Sequence, residues 1–146
     1  MVSICWGPAV SFIDQPFASD LYASNASKRS FSGQNIIDLK RFSEKLTSID
    51  LLKRVLLYQH IAPTVPDTVD GFPFEDRDPL VIEDNYPHVF FAGNQSHAEF
   101  STVEFENGRK TLLLSIPRFS RTKSVLLVNL RTLDVIEQSF DYENFD

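Results

Sequence analysis

The stretch His60-Ile61-Ala62-Pro63-Thr64-Val65-Pro66-Asp67-Thr68-Val69-Asp70-Gly71-Phe72-Pro73-Phe74 divides the chain into two regimes. Before it, apolar residues recur at helical spacing. After it, they gather into short runs or alternate with polar residues. Within it, Pro63, Pro66 and Pro73 each fix φ, remove a backbone donor and push the preceding residue toward extended geometry. The stretch therefore reads as a helix stop followed by a stiff loop. Phe72 and Phe74 flank Pro73, where aromatic anchors favour a partner surface over a core.

Working upstream, Thr47 is a good N-cap with Asp50 in the third helical position, a capping box with Asp in place of Glu or Gln. Leu52, Val55, Leu56 and Gln59 follow along one face, Asp50 and Arg54 are spaced as an i,i+4 pair, and Pro63 is expected to end the helix. An earlier helix is predicted after Gly33-Gln34-Asn35. Asn35 would cap it, Asp38 would sit near its positive dipole end, and Ile36, Leu39, Phe42 and Leu46 would form its apolar stripe. Asp20 to Ser32 reads as loop or a weak edge strand. Downstream, Leu80-Val81-Ile82 and His88 to Ala92 read as buried strands. Glu99 to Glu106 alternates up to a hairpin signal at Asn107-Gly108, and Thr111–Ile116, Ser124–Leu130 and Asp134–Phe140 complete a meander. The acidic tail from Asp141 is expected to fray. Two helices followed by five or six mostly antiparallel strands give an α/β arrangement.

Composition narrows the function. The chain has 146 residues, 42% of them hydrophobic, and its 13 phenylalanines exclude a disordered segment. Residues 1–60 carry seven Lys/Arg against five Asp/Glu, whereas residues 61–146 carry seven against fifteen. An acidic second half argues against a free-standing nucleic-acid binder, and Arg118, Arg121 and Lys123 form only a thin basic cluster, read as a solvated loop. Cys5 is the only cysteine, so neither an intrachain disulfide nor a cysteine-rich zinc site is available. No apolar run reaches membrane-spanning length, and the first residues lack a signal-peptide pattern. The expectation is a soluble intracellular protein.

Several motifs together resemble one family. Pro63-Thr64-Val65-Pro66-Asp67-Thr68 is similar to the Pro-Thr-x-Pro-Asp-Thr segment of the small (B-type) accessory subunit of replicative DNA polymerase delta. So are Phe31-Ser32-Gly33-Gln34-Asn35-Ile36-Ile37-Asp38-Leu39, Asp78-Pro79-Leu80 and Pro87-His88-Val89-Phe90-Phe91-Ala92-Gly93-Asn94. Leu112 to Ser120 resembles the family's strand ending in Pro-x-Phe-Ser, and Val128 to Leu133 its final strand. The order and spacing of the set make it specific. It covers residues 17–146 and leaves 1–16 as an unmatched N-terminal segment. Gly71-Phe72-Pro73-Phe74 departs from the family's Cys-Tyr-Pro-Phe.

The resemblance implies the C-terminal part of an inactive calcineurin-like phosphodiesterase β-sandwich, about the last third of a longer protein. Implied with it is a non-catalytic scaffold in the nucleus that bridges the catalytic subunit's C-terminal cysteine-rich module and a third accessory subunit, touching DNA only indirectly or weakly. Residues 63–74 are the candidate partner surface, through Pro63, Thr64, Pro66, Asp67, Thr68, Phe72 and Phe74.

Catalytic chemistry is not expected. A two-metal phosphoesterase needs several Asp, His and Asn ligands, the last of them from a Gly-His-x-His turn after a buried strand. The corresponding position reads Gly93-Asn94-Gln95-Ser96, with His97 one place beyond and neither His60 nor His88 at ligand spacing. No catalytic, cofactor-binding or metal residue is assigned. Glu75, Asp76, Asp78, Glu83 and Asp84 lack the spacing of a calcium loop and read as a solvated acidic face. A residual metal-dependent phosphoesterase and a free-standing protein-interaction domain are the alternatives.

Overall fold

The computed structural model describes residues 2–4, 28–43, 45–71, 78, 80–82, 86–106 and 108–140. It is α/β, with seven strands in two sheets. In chain order the elements are β1 (Val2–Ile4), β2 (Lys28–Phe31), α1 (Gln34–Phe42), α2 (Ser48–Leu57), β3 (Val89–Gln95), β4 (Glu99–Glu104), β5 (Lys110–Pro117), the short α3 (Phe119–Thr122), β6 (Ser124–Val128) and β7 (Val135–Ser139). One sheet runs β2-β3-β5-β4, with β2, β3 and β5 parallel and β4 antiparallel at the edge. The other runs β1-β6-β7, all antiparallel. Five strands follow the helices as the sequence predicts. Of the two that precede them, Lys28–Phe31 is the edge strand that the reading of Asp20–Ser32 allows, whereas Val2–Ile4, from the unmatched N-terminal segment, is unexpected and pairs with β6.

Side-chain alternation along β3 and β5 sorts the core into two halves. Phe90, Ala92 and Leu113 point to one face, where they pack with Ile36 of α1 and Leu51, Leu52, Val55 and Leu56 of α2. Val89, Phe91, Leu112, Leu114 and Ile116 point to the other, against Leu126 and Val128 of β6. Helices, four-stranded sheet and three-stranded sheet thus form three layers. Burial on both faces is why β3 and β5 read as continuous apolar runs, while edge strand β4 turns Val103 to the helix side, where Phe105 follows just beyond its end. Tyr86 stacks on Phe105 with ring centroids 4.3 Å apart, extending that side of the core.

The capping box forms as predicted. The Asp50 N–H donates to Thr47 Oγ1 at 3.2 Å, and the Thr47 N–H donates to Asp50 Oδ2 at 3.1 Å. That backbone donor, with the Thr47 hydroxyl, holds the Asp50 carboxyl below its usual range.

Four local expectations are corrected. Helix α2 ends before Pro63 acts: Gln59 takes a left-handed conformation (φ 55°), its N–H bonds the Leu56 carbonyl, and the His60 N–H bonds the Val55 carbonyl. That pairing is a Schellman stop, which uses up the last carbonyls locally. Asn35 does not cap α1. Gly33 occupies the cap, and buried Asn35 lies one residue inside the helix with its amide donating to the Ile61 carbonyl. Phe42, the last residue of α1, leaves the stripe and is 69% exposed, while Leu39 and Leu46 still pack against the core. Leu80–Ile82 makes only a single bridge, Val81 to His60, although Ile82 is buried and its N–H bonds Gln59. The hairpin between β4 and β5 forms, with Gly108 at φ 75°. Asn107, Asp20–Ser27, most of the acidic cluster and the tail from Asp141 lie outside the described residues.

Two outcomes check this account. Leu56→Ala, which empties a fully buried position on α2, is expected to cost about 2–5 kcal/mol in denaturant unfolding. Gln59→Gly is expected to raise the midpoint, since it relieves a left-handed non-glycine residue worth about 1 kcal/mol and leaves the Schellman hydrogen bonds in place.

Candidate functional site

The proline loop is tied down from inside. Asp38, on the buried face of α1, is only 1% exposed, yet its carboxylate is well satisfied. Oδ2 accepts the Thr64 hydroxyl at 2.9 Å and also the Thr68 hydroxyl. These two threonines are brought together by one turn of backbone, in which the Thr68 N–H bonds the Thr64 carbonyl at 3.1 Å. Oδ1 faces the Arg41 guanidinium at 3.7 Å. Arg41 is 70% exposed, so solvent screens most of its contribution. The hydroxyls, Thr68 first, hold the Asp38 carboxyl below the usual carboxylate range against the opposing effect of burial.

Further ties fix the loop's ends. Asn35 holds the Ile61 carbonyl, the Ile61 N–H bonds Leu80 at 2.7 Å, and His60 Nε2 lies 3.3 Å from Asp78 Oδ2. Val65 folds inward over Gly71, where an added Cβ would come within 2.3 Å of its Cγ1. The peptide between Val65 and Pro66 is cis. The predicted partner residues therefore divide. Thr64, half-buried, and Thr68, still exposed, spend their hydroxyls on Asp38, whereas Pro63, Pro66, Asp67 and Asp70 are exposed and make no such tie among the described residues. Phe72 and Phe74 lie outside the described residues.

A second junction lies at the C-terminal ends of the parallel strands, where the resemblance places the last metal-ligand turn. Residues 93–95 do not form a free turn. They continue β3 through a bulge after Ala92, with Asn94 left-handed at φ 56°. The Asn94 amide donates to the Ser32 carbonyl at 3.2 Å. Gln95 is 3% exposed; its amide nitrogen donates to the Gly93 carbonyl at 2.9 Å and to the Gly33 carbonyl at 3.3 Å, and its oxygen accepts the Ser48 hydroxyl at 3.0 Å. Gly33 has to be glycine here. Its φ is +81°, and a Cβ would stand 1.9 Å from the Gly93 carbonyl oxygen. The junction is a neutral, internally satisfied network that joins the starts of both helices to β3.

His88 and His97 are exposed on the surface, and His60 is paired as described. Among the described residues, no three His, Cys, Asp or Glu side chains converge as metal ligands would. No helix among them is long and apolar enough to cross a membrane. Sequence reading missed the role of Asp38, because its partners lie 26 and 30 residues away. The one usable signal was the i,i+4 spacing of Thr64 and Thr68.

These features define a class. A sequence model of the family described as the B subunits of DNA polymerases alpha and epsilon matches residues 19–102, more than half of the chain, and the chain belongs to that family. It is 41% identical over 112 residues to the probable DNA polymerase delta small subunit of Caenorhabditis elegans and 42% identical over 109 residues to the DNA polymerase delta small subunit of Arabidopsis thaliana. To DNA polymerase delta subunit 2 of Drosophila melanogaster it is 39% identical over 103 residues. These alignments cover 77%, 75% and 70% of this chain but 24% of each relative. The chain thus spans about a quarter of the length of the curated relatives it matches. The resemblance drawn from Pro63–Thr68 and its companion motifs is confirmed.

The Asp38 clasp has a pH signature. Because the folded carboxyl sits below its unfolded value, the unfolded chain binds more protons in acid, and stability rises with pH through that window. The clasp contributes fully above the unfolded value and is lost as pH falls through the folded one. Asp38→Asn is expected to be less stable at neutral pH, with the gap to the parent narrowing below about pH 4. Urea midpoints measured from pH 3 to 7 test this; Asp50 keeps some acid sensitivity in the variant.

Proposed function

We propose that this chain is part of a non-catalytic accessory subunit of the DNA polymerase delta complex, acting in DNA replication in the nucleus. Residues 17–146 form the C-terminal portion of an inactive calcineurin-like phosphodiesterase domain. The observation that carries this reading is identity of about two-fifths to polymerase delta small subunits from an animal and a plant, over three-quarters of this chain. Two features support it. The two sheets packed through Val89, Phe91, Leu112 and Leu126 suit a phosphodiesterase-type sandwich. Where the last metal-binding turn of an active enzyme would lie, Gln95 and Asn94 are spent on backbone carbonyls and Ser48.

The scaffold role falls to the proline loop. Ordering it costs little on binding, since Asp38 already holds Thr64 and Thr68 and the prolines stiffen the rest. Its outer face offers Pro63, Pro66 and Asp67, with Phe72 and Phe74 continuing the same segment, a profile suited to protein more than to nucleic acid. The scaffold bridges two partners, the catalytic subunit's C-terminal cysteine-rich module and a third accessory subunit.

Phe72→Ala combined with Phe74→Ala is expected to weaken capture of the catalytic subunit's C-terminal region at least about tenfold, equivalent to 1.4 kcal/mol, without changing the melting temperature. Capture unchanged by the pair removes the loop from the interface. Manganese-dependent phosphodiester turnover that disappears in Asn94→Ala would replace the scaffold with a residual phosphoesterase.

A further inference from the structure

Charge is segregated along this chain in a way its net value of −6 conceals. Residues 55–106 carry ten Asp/Glu and one Lys/Arg, whereas residues 107–133 carry six Lys/Arg and no Asp/Glu. Three of those six, Arg118, Arg121 and Lys123, sit on the single turn of α3 between β5 and β6, all exposed. No carboxylate pairs with any of them among the described residues. By contrast, Lys110 at the far hairpin pairs with Glu104 at 3.5 Å.

The turn is rigid. The Arg118 N–H bonds the Gln95 carbonyl at 3.2 Å, the Arg121 N–H bonds the Arg118 carbonyl at 2.9 Å, and the Lys123 N–H bonds the Phe119 carbonyl at 2.9 Å. Beside the cations lies an aromatic pair. Phe119 and Phe140 meet edge to face at 6.3 Å, the Lys123 ammonium stands 5.9 Å from the Phe119 ring, and Phe140 remains 48% exposed. The Phe140 N–H donates to the Lys123 carbonyl, which locks that ring beside the turn.

We infer that the α3 turn, through Arg118, Arg121, Lys123 and Phe140, is a contact surface for single-stranded nucleic acid. Two guanidinium forks match phosphate oxygens, the ammonium adds a point charge, and the half-exposed Phe140 ring offers a flat apolar face for an unpaired base. A purely acidic polypeptide such as polyglutamate would use the cations but has no flat group to set against that ring. Three phosphate contacts give weak, salt-dependent binding of the non-specific kind, which suits a protein that touches nucleic acid held mainly by other chains. The surface is separate from the proline loop and stands whether or not that loop docks a partner.

Fluorescence anisotropy of a labelled oligothymidylate with the full chain, starting from about 50 mM salt, tests this. The expected slope of log K against log salt is about −2, from three single-strand contacts. Arg118→Gln with Arg121→Gln and Lys123→Gln is expected to weaken binding at least about tenfold and flatten the slope, while Arg118→Lys with Arg121→Lys retains it. A control of equal charge, Lys45→Gln with Lys53→Gln and Arg131→Gln, is expected to lose less than about threefold. Phe140→Ala is expected to weaken the single strand but not a duplex of the same length. Equal loss in the control triple, displacement by polyglutamate at matched charge, or no detectable binding overturns the inference.

Discussion

Strands β3 and β5 have water on neither face, and most of the fold follows from that constraint. Each must bury alternate side chains in opposite directions, so one face needs a helical layer and the other a second sheet. Phe90 and Leu113 recruit α1 and α2; Phe91, Leu112 and Leu114 recruit β6. At about 25 cal/mol per Å² of apolar surface removed from water, these two clusters dominate the favourable side of folding. The capping box, the Schellman stop and the loop clasp each add about 1 kcal/mol, and their role is placement more than strength.

Placement is what the Asp38 clasp achieves. A buried carboxylate without partners would be costly, and one met by two hydroxyls is tolerated. In return it fixes the loop that follows α2 onto the helix that precedes it. The loop's outer face is then presented by rigid backbone instead of by a fluctuating connection. The same logic applies at Gln95, whose buried amide joins β3 to the starts of both helices.

How much of this was legible in the sequence varied with the range of the interaction. The capping box at Thr47 and Asp50 is local, and it was readable. So were the strand runs, because burial on both faces leaves an unbroken apolar string. The stop at Gln59 was obscured by Pro63, a stronger signal four residues later, since nothing in a glutamine announces left-handed backbone. Asn35 is a good cap by type, yet it serves instead as a tether to Ile61, 26 residues away. The candidate loop was found through its prolines, but which residues face inward was not, because Asp38 reveals its role only once the helix is packed. The basic turn looked thin because three cations in sequence say nothing about whether a carboxylate stands opposite them.

The junction around Gly33 also carries a consequence for the order of events in synthesis. Ser32 and Gly33 receive their hydrogen bonds from Asn94 and Gln95, 62 residues later. The four-stranded sheet is complete only when β5, ending at Pro117, inserts between β3 and β4. A ribosome emits α1 and α2 well before that point, and their shared apolar face then has no sheet to cover it. High contact order of this kind makes the nascent helical pair the stretch most in need of a chaperone's shelter until the central strands emerge.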